Sequence, residues 1–274
     1  MITMPQRQSE LEAIRSTLEE PVIFVPTMGA LHQGHAALIE HAASLSKSVI
    51  VSVFINPLQF DDPADLEKYP KSLELDRDLA MTAGASFIWA PTFDEVYPGE
   101  IERVPAGRVG TILEGAAREG HFDGVLTVVK RLFQSVRPQV AIFGEKDFQQ
   151  LFLVRKLAAS MGITIIAHPT VRDENGLALS SRNARLTREG KQAALVIYRA
   201  LQEAKVSTNP QQRMEEVLRS EPRFTRDYAT VIDEENFEVV ADENHDDKIS
   251  RRALIAGWID GVRLIDNLSL ENSK

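Results

Sequence analysis

Two histidines three residues apart, His32 and His35, sit inside a glycine-punctuated stretch, PTMGALHQGH, at residues 26–35. The stretch follows an apolar run at 21–26 that reads as a buried strand. It opens a segment in which Ala37, Leu38, Ala42 and Leu45 recur at helical spacing. At a helix start, two imidazoles at this spacing can face one ligand and donate hydrogen bonds to a phosphoryl group as charge develops on it. The helix start also offers backbone N–H groups and the positive end of its dipole, both suited to phosphate. Gly29 and Gly34 let the backbone approach such a ligand closely. A lone histidine reads as a polar surface residue; a pair inside a strand–helix junction points to chemistry.

That junction works only if the surrounding elements hold it at the edge of a sheet. Unalternating apolar runs at 21–26, 48–55, 86–90, 140–143 and 163–167 alternate with helical segments at 34–45, 73–83, 123–136 and 147–161. Gly162 marks the end of the last of these helices. Strands buried on both faces with helices between them predict a Rossmann-like parallel sheet, whose carboxyl edge is where ligands bind. After about Pro169 the pattern changes. Helical stretches at 188–205 and 211–220 precede strand-like segments at 228–232, 237–241, 252–259 and 262–265. The last two flank Asp260–Gly261, a hairpin signal. The expectation is an α/β domain over 1–169 and a smaller α+β lid domain with an antiparallel sheet over 170–274. The charged segments 233–236 and 242–248 read as solvated turns.

Composition narrows the chemistry. The 274 residues include no cysteine, which excludes disulfides, thiolate-bound zinc, iron–sulfur clusters and thiol nucleophiles. A net charge of −9 gives no global attraction to nucleic acid, so an anionic ligand needs a local basic pocket or a helix N-terminus. Hydrophobic residues at 43% and charged residues at 26% are ordinary for a soluble globular chain. No apolar run approaches the roughly 18–20 residues that span a bilayer. The first residues, MITMPQRQSELEAIRS, lack the apolar core of a secretory signal, and together with the missing cysteines this favours the cytoplasm.

The string His32-Gln33-Gly34-His35 resembles the HxGH motif of nucleotidyl transferases and class I aminoacyl-tRNA synthetases. The longer PTMGALHQGH resembles the pantothenate synthetase family. So do FINPLQF at 54–60, YPKSLELD at 69–76, EGHFDGV at 119–125, GEKDFQQL at 144–151 and LALSSRN at 177–183. These strings run in the family's order across about residues 21–187; beyond them the match is chiefly RLIDN at 263–267. The resemblance implies condensation of D-pantoate with β-alanine at the expense of ATP, through a pantoyl adenylate, releasing AMP and diphosphate. It implies a homodimer as well, and a nucleotide- and pantoate-binding first domain.

Carried over residue by residue, the resemblance assigns ATP to Met28, Gly29, Ala30, Leu31, His32, Gln33, Gly34 and His35. It extends to Gly144, Glu145, Lys146 and Asp147, to Val171 through its backbone, and to Leu179, Ser180, Ser181 and Arg182. Lys146 is a point charge suited to phosphate, and Asp147 can accept from ribose hydroxyls. Taken alone, GEKD is also what a charged helix start looks like. Arg182 can grip phosphate oxygens with a planar fork, and Ser180 and Ser181 can donate to others; a turn with a helix cap would use the same residues. His35, His32, Lys146 and Arg182 are the expected catalytic set. Gln59 and Gln150 are the pantoate candidates, because an amide can donate to a carboxylate and accept from a hydroxyl at once. Met28 would cover the substrate's methyl groups. Composition does not say which of Gln149 and Gln150 points inward; the family motif favours Gln150. Asp76 is the candidate contact for Mg2+, although Asp61, Asp62, Asp65, Glu74 and Asp78 crowd it in sequence and Leu75 stands where relatives have a second acid. His121 and Arg118 lie in the motif stretch without an individual role.

Other classes stay open on sequence grounds. One is a different HxGH nucleotidyl transferase that attaches a nucleotide to a phosphate and stops. Another is a regulatory nucleotide-binding module, which the intact His32, His35, Lys146 and Arg182 disfavour. An RNA-binding synthetase relative is disfavoured by the acidic charge and the lack of an anticodon-binding domain.

Overall fold

Val49, Ile50 and Val51 are fully buried, as are Phe24 and Val25 beside them, which is why these short runs form strands with neither face toward water. The computed structural model describes residues 4–61, 66–67, 69, 72–241 and 249–271. It divides into two compact units, residues 1–145 with 149–169, and residues 146–148 with 170–274.

In the first unit five parallel strands stand in the order β3-β2-β1-β4-β5. They are β1 (Ile23–Thr27), β2 (Val49–Val53), β3 (Phe87–Trp89), β4 (Val140–Gly144) and β5 (Thr164–His168). The order reverses direction between β1 and β4, which pair through Ile23–Val140 and Phe24–Ala141. In a doubly wound sheet the carboxyl ends of the strands at such a switch point form the ligand crevice. The helices of eight or more residues, among those described, are α1 (Gln8–Arg15), which the sequence reading did not single out, α2 (Gln33–Leu45), α3 (Leu73–Thr82), α4 (His121–Val136) and α5 (Phe148–Ser160). On one side of the sheet Ile39 and Ala42 of α2 and Ala80 of α3 pack with Ile23, Val25, Val49, Val51 and Ile88. Each Ile or Val side chain among these contributes about 1.5–3 kcal/mol on burial.

The second unit holds an antiparallel sheet of β6 (Phe224–Asp233), β7 (Arg251–Ile259) and β8 (Val262–Ser269), in that order. Helices α6 (Arg188–Lys205) and α7 (Pro210–Leu218) join Ala253, Ile255, Val262 and Leu264 of the sheet in one core. The hairpin at Asp260–Gly261 forms as expected, with φ of 51° and 76°, the positive values that a type I′ turn requires.

The expected strand at 237–241 does not form. Phe237 adopts φ 61°, outside extended geometry, and the segment makes a single bridge, Ile232 to Val239. The charged segment 242–248 lies outside the described residues. The helix expected from 147 begins at Phe148, after a 3-10 turn over Glu145–Asp147.

Candidate active site

The chain leaves β1 at Thr27 and turns sharply. Gly29 has φ 85° and Ala30 φ 51°, so two successive residues lie in the left-handed region. A Cβ on Gly29 would come within 2.9 Å of Asp76 Oδ2 and 3.0 Å of Val53 Cγ1, so glycine is required on steric grounds too. Asp76 holds the turn: Oδ2 accepts the N–H of Ala30 at 3.0 Å and Oδ1 that of Leu31 at 2.7 Å. Its carboxylate is only 2% exposed. Both oxygens accept backbone donors, so Asp76 holds the loop, whatever it adds at the expected magnesium site. Among the described residues, the neighbouring acids do not build a cage around it. Asp61 pairs with Arg118 at 3.3 Å and Asp78 with Arg77 at 2.8 Å. Asp62 and Asp65 lie outside the described residues. Among the described residues, no group of three His, Asp or Glu could hold a metal ion.

His32 is the N-cap of α2. Its Nδ1 accepts the N–H of Gly34 at 3.1 Å, and Nδ1 of His35 accepts the N–H of His32 at 3.3 Å. A ring nitrogen that accepts carries no proton, so each neutral imidazole bears its hydrogen on Nε2 and is a donor there. The two rings lie 4.1 Å apart between centroids. The N–H groups of Ala30, Leu31, His32 and Gly34 are engaged within the protein, and each imidazole carries its proton on Nε2. Gln33 is exposed.

The 3-10 turn Pro57–Gln59 after β2 positions Gln59, which is 8% exposed. Gln59 Oε1 accepts from Asn56 Nδ2 at 3.1 Å, and Nε2 lies 2.9 Å from Met28 Sδ. The amide and the thioether expected around pantoate therefore stand together. Asn56 escaped the sequence reading. It is fully buried, caps the turn by accepting from Leu58 N, donates to Gly124 O at 3.1 Å and accepts from the Tyr97 hydroxyl at 3.0 Å. The available signal was Asn directly before a Pro-initiated turn, a capping signature. Burial pushes the Tyr97 hydroxyl well above the usual tyrosine range, so it stays a donor. His121 and Arg118 acquire a role here. His121 Nδ1 donates to Gln59 O at 2.7 Å, and its Nε2 accepts from Arg118 Nη1 at 3.1 Å. A carbonyl can only accept and a guanidinium only donate, so this tautomer is fixed.

Gln149 and Gln150 part company. Gln149 is buried; Nε2 donates to Val109 O and Ile112 O at 2.7 and 2.8 Å, and Oε1 accepts from Glu114 N at 3.1 Å. It fastens a loop. Gln150 is half-buried, as suits a residue that meets a ligand.

Gly144 ends β4, and a Cβ there would meet only Leu38, at 4.0 Å, which leaves that backbone face open. Lys146, in the following turn, has Nζ 3.7 Å from Asp147 Oδ2. In the second unit Val171 and Leu179 face each other across a tight hairpin, Leu179 N–H donating to Val171 O at 2.9 Å. Ser180 caps the 3-10 turn Ser181–Arg185 by accepting from Arg182 N at 3.3 Å, so it serves as the ordinary cap as well. Its hydroxyl hydrogen can still be donated.

With this geometry in place, comparison with known proteins is decisive. A family model described as pantoate-beta-alanine ligase matches residues 2–269. The chain belongs to the pantoate–β-alanine ligase family. It is 43% identical over 274 residues to the pantothenate synthetase of Thermus thermophilus, covering 96% of this chain and 98% of that one. The pantothenate synthetase of Acidothermus cellulolyticus is 42% identical, with coverage of 96% and 90%. A crystal structure of the Thermus thermophilus pantothenate synthetase superposes with a TM-score of 0.90 at 41% identity, covering 99% of this chain and 100% of that one. The Francisella tularensis pantoate-beta-alanine ligase, crystallised with beta-gamma ATP and beta-alanine, superposes with a TM-score of 0.80 at 32% identity, covering 100% and 99%. The protein is an enzyme, and as a family member it ligates pantoate to β-alanine. Among its described residues no helix is long and apolar enough to cross a membrane.

Proposed function

We propose that the enzyme makes pantothenate in two displacements, with His32 and His35 acting as neutral hydrogen-bond donors to the phosphoryl group of ATP. A D-pantoate carboxylate oxygen attacks the α-phosphorus of ATP, diphosphate leaves and a pantoyl adenylate forms. The neutral amine of β-alanine then attacks the acyl carbon, and AMP leaves as the amide forms. The observation that carries this reading is the pair of acceptor Nδ1 atoms, which puts a proton on Nε2 of each ring. Preorganised donors of this kind stabilise charge that develops only in the transition state.

Lys146 and Arg182 neutralise the departing diphosphate, with Ser180 and Ser181 as further donors, and Asp147 accepts from the ribose. Gln59 and Gln150 bind the pantoate hydroxyls and carboxylate, and Met28 covers its methyls. Magnesium enters as the counter-ion of the ATP phosphates, in keeping with an ion that commonly uses few protein carboxylates. Asp76 is assigned to holding the Ala30–Leu31 turn, where both its oxygens accept backbone N–H groups. A cytoplasmic homodimer is the expected form.

The test is isotope exchange. With β-alanine omitted, labelled diphosphate enters ATP only when pantoate is present. Absence of that exchange, in enzyme that turns over with all three substrates, would reject a free-standing adenylate step in favour of concerted attack.

A further inference from the structure

The run Arg263–Asn267, RLIDN, takes no part in the steps above, yet Asp266 and Asn267 are only 5% and 3% exposed. Both lie on β8, where successive side chains alternate between faces. Asp266 shares the face of Val262 and Leu264, which α6 helps to cover; Asn267 points to the other.

On its face Asp266 takes the Arg172 guanidinium in a two-pronged pair, Nη1 to Oδ2 at 2.5 Å and Nη2 to Oδ1 at 2.9 Å. Arg172 also donates to Gly176 O at 3.1 Å and lies 3.9 Å over the Tyr198 ring. It follows Val171 and bridges to Ala178, so the pair anchors the hairpin that joins Val171 to Leu179. On the opposite face Asn267 Nδ2 donates to the backbone O of Lys146 at 2.8 Å, while Oδ1 accepts from Arg252 Nη1 at 2.6 Å. Arg252 in turn lies 4.1 Å over the ring of Phe148. The tripeptide Lys146–Phe148 accordingly folds with the second unit. Position 267 needs a donor toward a carbonyl and an acceptor toward a guanidinium. A carboxamide supplies both, whereas a carboxylate supplies only acceptors.

We infer that Asp266 and Asn267 form a positioning element for ATP: one strand sets the register of the Val171–Leu179 hairpin through Asp266 and of the Lys146 backbone through Asn267. This rests on the assignment of Lys146 to the ATP phosphates. A lysine ammonium on a flexible stem gains little from charge alone unless its backbone is held, and small misplacements of a substrate-positioning group are costly in rate.

The discriminating variant is Asn267→Asp, which keeps an acceptor for Arg252 and removes the donor to Lys146. The KM for ATP should rise and pantoate-dependent diphosphate exchange should fall on the order of tenfold. The KM for pantoate and the reaction of supplied pantoyl adenylate with β-alanine should stay near wild type. Asn267→Ala, which adds no charge and leaves no side-chain donor, should give the same split and replaces the Asp variant if that one melts early. In a Lys146→Ala background neither substitution should reduce exchange further, because the contact acts through Lys146. Wild-type kinetics in the Asn267 variants, equal loss in both half-reactions, or full additivity with Lys146→Ala would overturn the positioning role. Normal exchange in Lys146→Ala alone would overturn the ATP assignment beneath it, a failure separate from the first.

Discussion

His35 Nδ1 accepts the backbone N–H of His32 at 3.3 Å, so each histidine of the pair is braced by the first turn of the helix it serves. The bracing makes the roles of the two residues separable. In the proposed mechanism His32 is both cap and donor, and His35 chiefly donor.

His35→Ala should lower turnover about 100- to 1000-fold, the range for loss of one preorganised donor, with a smaller change in ATP affinity. His32→Ala should also lose the cap and about 0.5–2 kcal/mol of stability. His32→Asn, which restores an acceptor at the cap, should recover the melting temperature and leave turnover low. Calorimetry beside steady-state kinetics checks this. Recovery of both by His32→Asn would show that His32 acts only as a cap.

Asp76→Asn keeps the size of the side chain but turns an amide N–H₂ toward one of the two backbone donors it holds. Leaving a buried donor unpaired costs about 1–3 kcal/mol, and Ala30 must still be kept at positive φ. The expected result is a lower melting temperature with reduced turnover, unchanged when magnesium is raised well above the ATP concentration. Rescue by added magnesium would return Asp76 to the metal.

Gln149→Ala and Gln150→Ala should move opposite quantities. The first removes three buried hydrogen bonds, about 1 kcal/mol or somewhat more each where partners stay unsatisfied, and should lower the melting temperature by several degrees. The second should leave stability within about 0.5 kcal/mol and raise the KM for pantoate. A paired thermal melt and pantoate titration decides it; a KM defect confined to Gln149→Ala would exchange their roles.

Much of the site was legible because its signals are local. The apolar runs at 21–26, 48–55 and 140–143 declare buried strands, and the glycines and histidines between residues 29 and 35 mark a strand–helix junction. Asp260–Gly261 announced its hairpin for the same reason: two residues suited to positive φ suffice to make the turn. Phe237 misled because its strand propensity is local, while its positive φ and full burial depend on what surrounds it.

By itself the sequence determined the parallel α/β layout, the positions of the HxGH, GEKD and LSSR segments and, through their joint resemblance, the family. These depend on periodicity, turn chemistry and order along the chain, all of which are short-range properties. Tertiary structure alone decided what each polar side chain is committed to. It set the Asp76 carboxylate against two backbone N–H groups, separated Gln149 from its neighbour, gave His121 its tautomer against Gln59 and tied Asn267 to Lys146. Hydrogen bonds saturate over about 3 Å, so the role of a carboxylate or amide is set by partners that lie between 35 and 121 residues away in the chain.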